Sequence, residues 1–185
     1  MRVDILMRYQ DDPRKCTAAR LLKAGIARKI RGAPRSRRAI ILNPYSDTVL
    51  MPSDGRTAGA VVGVDCSWRL AGGEFGAPRD AGGGRKRGEA GGAPRRRYDA
   101  GSSRRLPPLL AGNPVNYAKI GVLTTAEAIA ASLFIMGYDD MAHNVLGRFK
   151  WGHTFYDLNR NILAEYAAMT GQDDAAEIAA GYGLA

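Results

Sequence analysis

Three short apolar runs constrain this chain more than any other feature: Val3-Asp4-Ile5-Leu6-Met7, Ala39-Ile40-Ile41-Leu42 and Ala60-Val61-Val62-Gly63-Val64. A strand with one wet face alternates apolar and polar residues, whereas a nearly continuous run needs cover on both faces, as in parallel sheets. Between the first two runs, Thr17 stands as an N-cap before Ala18 to Ala27, whose apolar residues recur at helical spacing. Strand, helix and strand in succession predict an α/β fold with a parallel sheet. The third run ends in Asp65, and open sheets place ligands at the carboxyl ends of such strands.

Beyond Asp65 the character changes. From Gly72 to Arg105 glycines cluster with arginines and no hydrophobic period survives, which reads as an insertion. Leu109-Leu110-Ala111 is a short strand candidate running into the turn-forming Asn113-Pro114-Val115-Asn116-Tyr117. Helical patterns then follow: Ala126 to Met136 with Glu127 in its first turn, a stripe of Met141, Val145 and Phe149, a face of Phe155, Leu158, Ile162, Tyr166 and Met169, and a terminal helix opened by Asp173-Asp174. The division expected is an α/β sheet domain over 1–105, with the Gly/Arg-rich insertion at about 72–105, and a part over 106–185 holding a last strand and loop and a helical domain.

Charge is segregated along the chain. The 185 residues hold 27 Lys and Arg against 18 Asp and Glu, a net +9. Residues 1–71 carry 14 basic and 6 acidic residues, 72–105 carry 9 and 4, and 106–185 carry 4 and 8. The basic excess lies wholly in the first two segments, and its arginine-rich make-up suits phosphate contacts. Two cysteines and two histidines exclude a disulfide scaffold and a zinc-finger spacing. No apolar run is long enough to span a bilayer, so a soluble protein acting in the cytoplasm, without membrane contact, is expected.

The generic nucleotide motifs are missing: no GxGxxG follows a strand, and neither a GxxxxGK loop nor HExxH occurs. Four segments remain. Asp12-Pro13-Arg14-Lys15-Cys16-Thr17 is a turn that delivers a hydroxyl and backbone N–H groups at a helix start, suited to an anion or equally to an ordinary cap. Val64-Asp65-Cys66-Ser67-Trp68 sets a carboxylate at a strand end before a large aromatic face, either a base beside an apolar pocket or a cap beside a core Trp. Leu106 to Thr125 is a Gly/Pro/Asn-rich loop able to cradle a nucleoside through backbone groups, and Phe149-Lys150-Trp151-Gly152 reads most simply as core and helix end.

Taken in order, these segments, with Arg105-Leu106-Pro107 and Leu123-Thr124-Thr125-Ala126-Glu127-Ala128, resemble the small-subunit ribosomal RNA aminocarboxypropyltransferases of archaea and eukaryotes over nearly the whole chain. The resemblance implies a SPOUT-like parallel sheet with a deep trefoil knot, then a mainly α-helical C-terminal part. It implies S-adenosylmethionine as cosubstrate, no metal, and transfer of the 3-amino-3-carboxypropyl group to a uridine or pseudouridine ring nitrogen. The implied partner is small-subunit rRNA or the pre-ribosomal small subunit, met by a monomer.

Residue by residue, the resemblance gives Thr17 the aminocarboxypropyl end, Val64 a backbone carbonyl for the ribose, and Trp68 the methyl group. Leu106 and Gly121 contact adenine through the main chain, with Thr125 beside it, and Asp65 takes or steers the ring-nitrogen proton. Two positions depart from the family pattern: Ala118 stands where Gly commonly follows Asn-Pro-Val-Asn-Tyr, and Gly121 where a bulkier residue is usual. Two other readings stay open at this point, a SPOUT-type RNA methyltransferase and a non-enzymatic RNA-binding assembly protein.

Overall fold

Each apolar run is a strand. β1 (Arg2–Met7), β3 (Ala39–Leu42) and β4 (Ala60–Asp65) join β2 (Arg28–Ile30) and β5 (Ser103–Arg104) in a parallel sheet of order β2-β1-β4-β3-β5. The computed structural model describes residues 1–7, 16–32, 34, 36, 38–65 and 103–184. Leu6 pairs with Val64 and Met7 with Asp65, so the carboxyl ends of β1 and β4 lie side by side in mid-sheet. The chain leaves β1 outward to β2, crosses to β3 and returns to β4. That reversal of direction opens the crevice in which α/β sheets bind ligands.

Strand alternation fills two apolar layers. Val3, Ile5, Ile40, Leu42 and Val61 enter one cluster with the helices, while Leu6, Ala39, Ile41, Ala60, Val62 and Val64 form a second with Ile30 and Tyr45 packed against it. Burial on both sides is what the unbroken apolar runs require. Asp4 falls on the side of Leu6 and is buried, with the Arg2 and Arg28 guanidinium groups 3.0 and 3.1 Å from its carboxylate.

Among the described residues the helices are α1 (Thr17–Lys23), α2 (Asp54–Thr57), α3 (Thr125–Ile135), α4 (Asp139–Leu146), α5 (Gly152–Ala167) and α6 (Asp174–Gly181). Sequence TAEAIAASLFI makes α3 apolar nearly all round, and it is buried from Ala126 to Ile135 apart from half-buried Ala128, with contacts to β4, α1, α4 and α5. Close approach to β4 depends on Gly63: a Cβ there would sit 2.8 Å from Ile129 Cδ1 and 2.9 Å from Thr125 Cγ2. The cluster that begins at Val3 continues to Ala175, so sheet and helices share one core.

Several expectations are corrected. Cys16, rather than Thr17, caps α1: its Sγ accepts from the Ala19 N–H at 3.3 Å, and Thr17 becomes the first helical residue. The helix ends at Lys23, not Ala27, because Gly25 turns left-handed (φ 68°) and Arg28–Ile30 is recruited as β2. The fifth strand comes from Ser103–Arg104, at the end of the stretch without hydrophobic period. Leu109–Ala111 adds no strand to the sheet; Leu110 instead bridges Ile120 antiparallel, folding Leu109 to Gly121 into a hairpin-shaped loop. Phe149 lies beyond the end of α4 at Leu146.

Candidate active site at the β1/β4 junction

Asp65 closes β4 and is buried, 8% exposed as a residue. Two helix starts reach it. The Cys16 thiol donates to Oδ2 at 3.3 Å, and the Thr125 hydroxyl donates to Oδ1 at 3.4 Å. Thr17 ties the helices together, its Oγ1 accepting from the Ala126 N–H at 3.3 Å. The positive ends of α1 and α3 therefore meet at the carboxyl end of β4 and favour negative charge there. Burial pushes the Cys16 thiol pKa up, Asp65 adding in the same direction against the Ala19 amide, so it stays a protonated donor at neutral pH. An acid beside two helix N-termini suits a zwitterionic ligand: the carboxylate answers a cationic centre, and the helix starts answer a carboxyl group.

Below this junction lies a second, fully buried carboxylate. Glu127 and Thr124 form a capping box on α3. Glu127 also reaches across to the hairpin: Oε1 accepts from the Gly112 and Asn113 N–H groups at 2.7 and 2.8 Å, and Oε2 from Asn113 Nδ2 at 2.9 Å and from the Thr124 N–H and hydroxyl at 2.7 and 2.8 Å. From the other side, Asn159 of α5 receives the Leu110 N–H and donates to the Leu110 carbonyl, at 2.9 and 2.8 Å. Gly112 lies so close to α5 that a Cβ would be 2.4 Å from the Phe155 backbone. The Tyr166 hydroxyl, donating to the Pro108 carbonyl, and the Gln172 amide, paired with both backbone groups of Val49, fasten neighbouring segments in the same way.

Of the residues singled out in the sequence, Thr17, Asp65 and Thr125 come together through these bonds. Val64 precedes Asp65 with its side chain in the opposite layer. Leu106, half-buried, follows Arg105, whose backbone bonds with Thr48 and Leu50. Gly121 is exposed, left-handed (φ 71°), and donates its N–H to the Leu109 carbonyl at 2.9 Å. Leu106 and Gly121 make no hydrogen bond to the Asp65 cluster among the described residues. Trp68 lies outside the described residues. Cys16, Asn113 and Glu127 stand out in the sequence only as parts of motifs, Glu127 also for its charge in the first turn; the S/T-x-x-E spacing of Thr124 and Glu127 is the signal by which the cap could be found. Among the described residues no three His, Cys, Asp or Glu side chains gather as a metal-holding group, and no helix is long and apolar enough to cross a membrane.

Known proteins resemble this chain over nearly its whole length. Residues 88–183 match the family described as ribosome biogenesis protein, C-terminal. A 16S rRNA aminocarboxypropyltransferase of Methanosarcina acetivorans is 37% identical over 176 residues, covering 94% of this chain and 89% of that protein. One from Thermoplasma acidophilum is 39% identical over 160 residues, covering 85% and 84%. The solved structure of the SAM-dependent rRNA:acp-transferase Tsr3 from Vulcanisaeta distributa superposes with a TM-score of 0.73 at 34% identity, covering 99% of this chain and 89% of that one. With relatives this similar along nearly its whole length, and an acid set between two helix starts at the sheet's reversal point, the chain belongs to the 16S rRNA aminocarboxypropyltransferase family.

Proposed function

We propose that this protein transfers the 3-amino-3-carboxypropyl group of S-adenosylmethionine to a ring nitrogen of a uridine or a pseudouridine, methylated or not, in small-subunit rRNA, releasing methylthioadenosine. The observation that carries the reading is the Asp65 carboxylate held by Cys16 and Thr125 at the β1/β4 junction. The names of the relatives support the substrate and the group transferred.

In this reaction the ring nitrogen attacks the aminocarboxypropyl carbon and forms the N–C bond. The C–S bond breaks with its electron pair going to sulfur, and the proton on the nitrogen must leave. Asp65 is assigned to take or steer it, since the protonated nitrogen is a poor nucleophile. The Cys16 and Thr125 donors hold the carboxylate oriented. Thr17 and the helix starts are assigned the carboxyl end of the cosubstrate, and Val64 the ribose. Leu106, Gly121 and Thr125 are assigned the adenine. With its N–H engaged by Leu109, Gly121 makes its main-chain contact through the carbonyl oxygen. Trp68 is assigned the methyl group. Orientation decides which carbon beside the sulfonium meets the base, so burying the methyl yields one product.

The finer fold reading, a SPOUT-like sheet with a deep trefoil knot, belongs to the same proposal and is supported by the all-parallel strand order and the motif resemblance. So does action in the cytoplasm as a monomer, on the pre-ribosomal small subunit. Cosubstrate labelled in the carboxyl group, incubated with small-subunit RNA, is expected to label the RNA and yield methylthioadenosine. Transfer of methyl label alone would make the protein a methyltransferase instead. Asp65→Asn is expected to lower turnover roughly 100-fold or more even at saturating cosubstrate; unchanged turnover removes Asp65 as the base.

A further inference from the structure

Four of the five large apolar side chains left exposed among the described residues crowd into eight positions: Val115 at 82%, Tyr117 at 58%, Ile120 at 48% and Val122 at 46%. All lie on or just after the hairpin-shaped loop. That loop is firmly built. Its arms are joined by the Ala111 N–H to Lys119 carbonyl and Ala118 N–H to Ala111 carbonyl bonds, at 2.9 and 2.7 Å. Glu127 and Asn159 grip its base, and Gly112 is seated against Phe155. A tightly fastened loop that turns Val115 and Tyr117 to water marks an interaction surface.

Charge indicates the occupant. Between Arg105 and Glu127 the sequence contains no acid, and its single charged residue is Lys119, exposed two positions from Tyr117 and hydrogen-bonded to Asn116 at 3.4 Å. An exposed aromatic interleaved with a cation and amide groups, with no repelling acid, is the chemistry that stacks on unpaired bases beside a phosphate backbone. Position agrees: four residues past Gly121, Thr125 donates to Asp65. The second arm of the loop therefore runs on into the helix start that holds Asp65, and the bonds joining Ala111 to Ala118 and Lys119 separate its tip at Val115 and Tyr117 from Gly121, the loop residue assigned to adenine.

We propose that the tip of this loop docks a single-stranded segment of the RNA substrate beside the target nucleotide, with a base stacked on the Tyr117 ring. The proposal rests on the reading of the protein as an rRNA-modifying enzyme for the identity of that RNA. It concerns binding, so its test is separable from turnover.

The test compares wild type, Tyr117→Ala, Tyr117→Phe and Val115→Ser in the full chain. An unpaired small-subunit rRNA fragment containing the target is titrated by fluorescence anisotropy, and S-adenosylmethionine by calorimetry. Tyr117→Ala is expected to weaken RNA binding roughly ten-fold, with Tyr117→Phe within about two-fold of wild type because the ring is kept. Val115→Ser is expected to weaken RNA binding to a smaller degree, and cosubstrate affinity stays unchanged in all three. Unaltered RNA affinity in Tyr117→Ala overturns the proposal, as does a loss of cosubstrate binding, which would give the surface to the adenosyl group. So does wild-type self-association in sedimentation that Tyr117→Ala abolishes, which would give it to a second copy of the chain. If the wild type binds RNA through Tyr117 but transfers no aminocarboxypropyl label, the assigned reaction fails and the docking surface stands.

Discussion

Ala118 is the only described non-glycine residue with a left-handed backbone, at φ 59°. A Cβ in that conformation crowds the following carbonyl at a cost of about 1–2 kcal/mol, which glycine escapes. The hairpin imposes it, because the Ala118 N–H must reach the Ala111 carbonyl. Ala118→Gly is therefore expected to raise stability by about 0.5–1 kcal/mol in urea unfolding, the relief of strain outweighing the added freedom of the unfolded chain. Unchanged or lower stability would show that the loop relaxes around the alanine. Gly121, the other departure from the family pattern, is left-handed as well. Both were visible in the sequence as unusual residues, but not why, since φ here is set by hydrogen bonds across the loop. The same limit applies to the site. Asp65 was legible because it ends an apolar run, whereas the thiol that holds it comes from 49 residues earlier and no local pattern announces the pair.

For the elements, legibility follows length and burial. β1, β3 and β4 were readable because cover on two faces leaves nearly continuous apolar runs, and α3 because eight of its eleven residues are apolar. β2 and β5, three and two residues long, have no apolar period of their own, and pairing with a neighbour is what defines them. The contact between β4 and α3 is where elements and site meet. Gly63 lets the first turns of α3 rest on the strand, which brings Thr125 to Asp65. A branched side chain there would lever the start of α3 outward. Gly63→Val is expected to destabilise by about 1–3 kcal/mol and to lower turnover at permissive temperature while RNA affinity stays near wild type. Thermal melts with parallel activity and binding assays check this; full turnover in a folded variant would mean that the Thr125 contact is dispensable.

Over the whole molecule, one apolar cluster from Val3 to Ala175 fixes the sheet and the helices to each other, while their charges stay apart. The helical part turns Asp139, Asp140, Asp157, Glu165, Asp173 and Glu177 to solvent, whereas Arg2 and Arg28 at the sheet are half or more exposed. Segment counts revealed that polarity before any fold was known, but not which face it serves, because the sheet's edge position for β2 comes from strand order. A polyanion held by the basic half releases counterions, so the logarithm of RNA affinity should fall linearly with the logarithm of salt, by about 0.7 per phosphate neutralised on a single strand. Contact with about six phosphates predicts a slope near −4. Removing residues 72–102 takes away seven arginines and lysines and is expected to reduce the slope by about 1–2. An unchanged slope would reduce that segment to a tether. Tyr117→Ala supplies the contrast: stacking displaces no counterion, so this variant should lower affinity at every salt concentration and leave the slope where it was.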